Sequence, residues 1–134
     1  MNSEIQIIKH IFSFVKNIAI VGLSDNPERS SYGVASYLLR AGFTIVPVNP
    51  AIEHVFGIPS ITSLKDIGKP IDLVNIFRRS EFVPEIVDDA ISIGAKSIWM
   101  QEGVINEHAA ELARANNIPV VMNRCIAVAH RLLL

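Results

Sequence analysis

Cysteine is nearly missing from this chain: Cys125 is the only one in 134 residues. A single thiol excludes an internal disulfide framework and fits a reducing compartment. An excess of one charge is missing too. Twelve Lys and Arg face thirteen Asp and Glu, for a net charge of −1, so nothing draws the chain generally toward nucleic acid or an anionic membrane. A local basic pocket stays open, because net charge does not describe distribution. No uninterrupted apolar run approaches the roughly 18 residues that span a bilayer. A cleavable signal is also absent, since Glu4 and Lys9 interrupt the first apolar stretch and no A-x-A-like site follows. The expectation is a cytoplasmic protein with no membrane and no nucleic-acid partner.

What is present is apolar and regularly spaced. Half of the residues are hydrophobic, and a chain of this length buries about two-thirds of its unfolded surface, so one domain spanning 1–134 with a filled core is expected. Apolar residues at 5, 7, 8, 11, 12, 14 and 15 trace a helical stripe, with Ser3 placed to cap it. Short β-branched runs then alternate with helical segments. Strands are predicted at 17–22, 43–50, 71–77, 96–101 and 118–123. Helices are predicted at about 32–41 before Gly42, from a Ser80 cap to Ile93 before Gly94, from Asn106 to Ala115, and in a turn or two at the end. A short turn falls near Ser63–Ile67. This alternation implies an α/β fold: a Rossmann-like three-layer sandwich with a five-stranded parallel sheet.

In such sheets ligands bind beyond the carboxyl ends of the strands, where the strand order reverses. The uncommon residues fall at those ends. After the first strand the usual dinucleotide signature G-x-G-x-x-G is absent; Gly22 is followed by Ser24, Asn26-Pro27, Arg29, Ser30-Ser31 and then Gly33. Gly22 lets the chain turn sharply, Gly33 removes bulk where the helix begins, and the helix-start N–H groups with the serine hydroxyls make an anion site. Arg29 adds a planar fork of donors suited to phosphate. The second tip, Val48-Asn49-Pro50, has no acid for an NAD ribose and no arginine for an NADP phosphate. The third places Phe77, Arg78 and Arg79 in succession, either to flank a base and meet phosphate or as a core anchor with two solvated charges.

Taken together, N-P-x-R-x-S-x-G in the first loop, P-V-N-P, F-R-R, W-M-Q-E-G and N-R-C resemble the small stand-alone CoA-binding proteins. These are similar to the N-terminal CoA-binding domain of the succinyl-CoA synthetase alpha subunit. The resemblance covers nearly all of the chain after the first helix. It implies coenzyme A lying across the strand tips, with Gly22, Ser24, Arg29, Ser31 and Gly33 around the phosphates. Val48, Asn49 and Pro50 would line the neighbouring edge, Phe77, Arg78 and Arg79 the nucleotide, and Gln101 the pantetheine arm. Two positions depart from that pattern: Asn123 stands where an aspartate is expected, and Ala129 where an acidic residue is more usual. The further domains of the synthetases have no counterpart in the sequence, so ligase activity is not carried over.

No catalytic or metal constellation is expected. His10, His54, His108 and His130 lie in unrelated elements without metal-ligand spacing and are read as surface or packing residues. Glu81, Glu85 and Asp88-Asp89 are read as a solvated helix face, leaving Glu102 as the one carboxylate at a strand tip. Cys125 follows the fifth strand at a helix start that favours thiolate, which raises a mixed disulfide with the thiol of bound CoA. The expected function is therefore binding of CoA or an acyl-CoA without chemistry of its own, as a sensor, a carrier or an accessory subunit with an enzyme partner or in a homo-oligomer. The alternatives are an NAD(P)-linked oxidoreductase or other nucleotide-binding enzyme on the same fold, and a ligand-free interaction domain using Ile5, Ile8 and Phe12.

Overall fold

A computed structural model describing residues 3–134 places five helices around a five-stranded parallel sheet. Helix α1 (Ser3–Phe14) leads into β1 (Asn17–Val21), then α2 (Ser30–Arg40) and β2 (Thr44–Val48). A two-stranded hairpin, β3 (His54–Val55) and β4 (Ile58–Pro59), precedes a 3-10 turn at Leu64–Asp66. Strand β5 (Leu73–Ile76) follows, then α3 (Val83–Ser92), β6 (Ile98–Met100), α4 (Glu107–Ala115), β7 (Val120–Val121) and α5 (Ile126–Leu133). The sheet order is β2-β1-β5-β6-β7, all parallel. The chain leaves β1 toward β2 and returns to β5 on the other side, so the order reverses between β1 and β5. This is the doubly wound, Rossmann-like arrangement, and that reversal is where a ligand crevice opens.

Strand alternation divides the core. Ala19, Val21, Val74, Ile76, Ile98 and Met100 face α3 and α4, whereas Ile18, Ile20, Leu73, Trp99 and Val121 face α1, α2 and α5. Burial on both faces explains why the strands read as continuous apolar runs. At the base of the sheet, Asp72 accepts from Lys16 N–H at 2.9 Å and Asn17 N–H at 2.8 Å. Burial alone would raise its carboxyl, but those two donors and the Lys96 ammonium at 3.6 Å outweigh it and hold Asp72 below its ordinary value.

Several boundaries differ from expectation for identifiable reasons. Ser3 is already helical, and α2 starts at Ser30 rather than near 32, with Arg29 as its N-cap residue. Ser80 does not cap α3. It opens a 3-10 turn, its Oγ accepts from Ile105 N–H at 2.9 Å, and its carbonyl accepts from Asn106 Nδ2 at 3.0 Å. Strands are shorter than their apolar runs; β6 and β7 share only two register pairs. The β3–β4 hairpin was not legible because its turn is Phe56-Gly57 in place of Asn-Gly. Both turn residues have positive φ, 55° and 73°, as a two-residue type I′ hairpin requires. The Phe56 ring lies on Tyr32 of α2, centroids 4.4 Å apart.

The first helix offers less free apolar surface than expected. Ile8 is buried, and half-buried Phe12 packs against Phe43, Trp99 and His130, leaving Ile5 the one exposed residue of the three. No helix among the described residues is long and apolar enough to cross a membrane.

Candidate binding site at the strand tips

Three strand tips are tied together at the reversal point. Gly22 N–H donates to the Val48 carbonyl and Phe77 N–H to the Val21 carbonyl, each at 2.8 Å. Gly22 has φ +87°, and a Cβ there would sit 2.2 Å from the Phe77 carbonyl oxygen. Only glycine lets the β1 tip turn at this distance from the β5 tip.

Beyond Gly22 the loop is ordered by its own polar groups. Ser31 Oγ accepts from Ser24 N–H, Ser24 Oγ from Asn26 N–H, and Asn26 Oδ1 from Glu28 N–H, all at 3.0 Å. Ser31 is buried and clamps the loop to α2 from within the helix. Helix α2 itself begins without a side-chain cap. Tyr32 N–H donates to the Arg29 carbonyl at 3.1 Å, which leaves the N–H groups of Ser30 and Ser31, both lining the cleft at this point, without the usual Ser, Thr, Asp or Asn oxygen. Gly22, Ser24, Arg29, Ser30, Ser31 and Phe77 line a polar cleft of about 360 Å³ at this point. Gly33 stands one turn along, exposed, and a Cβ there would meet no atom within 4 Å. Its missing side chain is therefore not required by the protein's own packing.

A second cleft of about 810 Å³ shares Gly22 and Phe77 with the first and continues toward β2 and α3. Val48, Asn49, Pro50 and Arg78 line it. Asn49 is held by the protein on every side. Its Nδ2 donates to the Leu23 carbonyl and its Oδ1 accepts from Ala51 N–H, both at 2.9 Å, while Ser60 Oγ donates to its carbonyl at 2.9 Å. The Arg78 guanidinium lies 4.7 Å over the Phe82 ring.

Sequence reasoning missed the wall formed by Thr62, Ser63, Leu64 and Lys65. That stretch reads as a plain turn. It reaches the cleft because Ile61 bridges in parallel to Val48, with Asn49 N–H donating to the Ile61 carbonyl at 2.9 Å. The acidic helix face also contributes: Glu85, Asp88 and Asp89 line the cleft, and Lys65 Nζ is 3.4 Å from Asp89 Oδ1. The cleft thus has donors near the β1 and β5 tips and carboxylates along α3.

Three residues stand apart from both clefts. Gly33 lines neither. Arg79 is exposed and starts the 3-10 turn after β5. Gln101 is buried, and its Oε1 accepts from Ile126 N–H at 3.0 Å, so it secures the start of α5. Asn123 has φ +63° and its Oδ1 accepts from Gly103 N–H at 2.8 Å, joining the β7 and β6 tips. An aspartate would accept the same bond, so this departure keeps the tip connection. Cys125 is the half-buried N-cap residue of α5 and, with Glu102 and Ala129, lines a separate groove between α1 and α5.

The histidines are dispersed over α1, β3, α4 and α5. His108 is exposed, while His130 packs among Phe12, Tyr37 and Phe43 with its Nδ1 2.7 Å from the Tyr37 hydroxyl. Burial lowers the His130 pKa from its ordinary value. Among the described residues no group of three or more His, Cys, Asp or Glu is placed to hold a metal ion.

Comparison with known proteins follows the same span. A family model described as a CoA binding domain matches residues 16–131. The uncharacterized protein YneT of Bacillus subtilis is 43% identical over 123 residues, which cover 92% of this chain and 91% of that protein. An ADP-forming acetate–CoA ligase of Methanocaldococcus jannaschii is 26% identical over 129 residues, covering 90% of this chain and 18% of the ligase. The solved structure of a hypothetical protein from Pyrococcus horikoshii matches with a TM-score of 0.91 at 37% identity, covering 96% of this chain and 90% of that one.

Proposed function

The chain belongs to the CoA-binding domain family, and from that premise we propose that it binds coenzyme A or an acyl-CoA across the carboxyl ends of its parallel strands. The observation that carries this reading is the uncapped start of α2, with Arg29 and the Ser24–Ser31 loop around a polar cleft at the Gly22 turn. Unsatisfied helix N–H groups, a helix dipole and a guanidinium form a donor set for pyrophosphate. The room at Gly33, which no protein atom fills, suits close approach of a phosphate to the helix backbone. Val48, Asn49, Pro50 and Phe77 would then border the adenosine, with Arg78 and Arg79 beside it, while buried Gln101 supports the start of α5 from behind.

A nicotinamide dinucleotide fits less well. The β2 tip presents no carboxylate for its ribose, and both ends of the Asn49 amide are already engaged by Leu23 and Ala51. On this reading the chain holds the cofactor without transforming it, as a sensor, a carrier or an accessory subunit. The match to a segment of an acetate–CoA ligase supports the accessory role.

A thermal-shift panel of CoA, dephospho-CoA, NAD, NADP and ATP tests the proposal. At a hundredfold its dissociation constant, CoA should stabilise the fold by about 2.7 kcal/mol, and NAD should not. Arg29→Ala should remove most of that gain while leaving the unliganded melting temperature in place. Stabilisation by NAD with none by CoA would contradict it.

A further inference from the structure

The exposed apolar side chains are not scattered. Four of the five large ones among the described residues belong to two helices: Ile5 is on α1, Val128 and Leu132 are on α5, and Leu134 follows α5 as its C-cap, while the fifth, Ile105, precedes α4. Ile5, Val128 and Leu132 line one groove of about 320 Å³ between these helices. Its upper end belongs to the sheet edge: Glu102 and Asn123, from the β6 and β7 tips, border it, and Arg124 is 2.6 Å from Glu4 of the first turn of α1. The groove therefore starts at the strand ends and runs down the outside of the helical layer.

That position is within reach of the cleft at Gly22. In the sheet order β7 lies three strands from β1, roughly 14 Å at the ordinary spacing of neighbouring strands. A pantetheine arm has the main-chain length of about four amino-acid residues and extends about 13–14 Å. We propose, resting on the CoA reading above, that this groove receives the hydrocarbon of a neutral, short- to medium-chain acyl-CoA whose phosphates sit at the β1 tip. The volume is at the small end of ligand pockets, which suits a single such chain. The upper end carries Glu4 and Glu102, and its one guanidinium, Arg124, is already paired with Glu4. An acyl group ending in a carboxylate is therefore disfavoured.

Calorimetric titration of the full chain with CoA, acetyl-CoA, hexanoyl-CoA and succinyl-CoA tests the assignment. A fully buried methylene tightens binding by about fourfold, so hexanoyl-CoA should bind at least tenfold tighter than acetyl-CoA even in a half-open groove, and succinyl-CoA should show no gain. Val128→Glu and, separately, Leu132→Glu should erase the hexanoyl advantage while CoA itself binds as before, which also shows that each variant folds. Equal affinity for CoA, acetyl-CoA and hexanoyl-CoA overturns the acyl groove and leaves the CoA reading standing. Equal affinities together with a dimer that Val128→Glu dissociates overturn it in favour of a second copy of this chain. Absence of CoA binding altogether overturns both.

Discussion

At Gly22 one strand tip turns against the carbonyl of another, and at Gly33, one turn into α2, the helix has open space beside it. The two glycines make opposite predictions. Gly22→Ala places a Cβ 2.2 Å from the Phe77 oxygen at φ +87°. Left-handed backbone alone costs an L-residue roughly 1–2 kcal/mol, so denaturant unfolding should show a loss above ~2 kcal/mol. Gly33→Ala adds a methyl that meets nothing and should raise the stability of the free protein by about 0.5–1 kcal/mol. If phosphate approaches there, the same methyl should weaken CoA binding about tenfold, or ~1.4 kcal/mol. A stabilised Gly33→Ala variant with unchanged CoA affinity would remove Gly33 from the site. At this scale Gly22 was legible as a sharp turn off β1, and its positive φ and the nearby Phe77 carbonyl agree. The partners of other tip residues were not: nothing in the sequence says that Asn49 would be consumed by Leu23, Ala51 and Ser60, or Gln101 by Ile126.

Elements join through side chains that no local pattern announces. Helix α5 meets α1 and α2 at His130, whose imidazole is packed against Phe12 and bonded to the Tyr37 hydroxyl. Burial lowers its pKa below the ordinary 6.5, so the fold holds it neutral while the unfolded chain protonates first. The sign follows: this contribution is intact above about pH 6.5 and declines as pH falls below it. Urea midpoints taken at about pH 7.5 and 5.5 should drop on acidification, and His130→Phe, which keeps an aromatic ring, should flatten that decline. An equal pH slope in the variant would assign the effect elsewhere. The helices themselves were legible from apolar spacing; that Asn106 caps α4, its Oδ1 accepting from Ala109 N–H at 2.9 Å, was not. The β3–β4 hairpin was not, since each strand has two residues and its turn uses Phe56 at positive φ.

Across the whole molecule, alternation of apolar runs with helical segments fixes a parallel sheet, and the sheet order places Gly22 and Phe77 on the two sides of its reversal. The parallel sheet could be read without coordinates; its strand order, and so the position of the reversal, could not. The wall at Thr62–Lys65 could not, because a parallel bridge between Ile61 and Val48 is a long-range pairing with no local signal. The same topology leads from the β1 tip across β5 and β6 to β7, giving a long, flexible, phosphorylated ligand one continuous edge to follow. A crystal of this protein soaked with coenzyme A should show the pyrophosphate at the start of α2, within hydrogen-bond distance of the Ser30 and Ser31 N–H groups and the Arg29 guanidinium. Electron density for a nicotinamide dinucleotide at Gly22, in crystals that leave coenzyme A unbound, would contradict it.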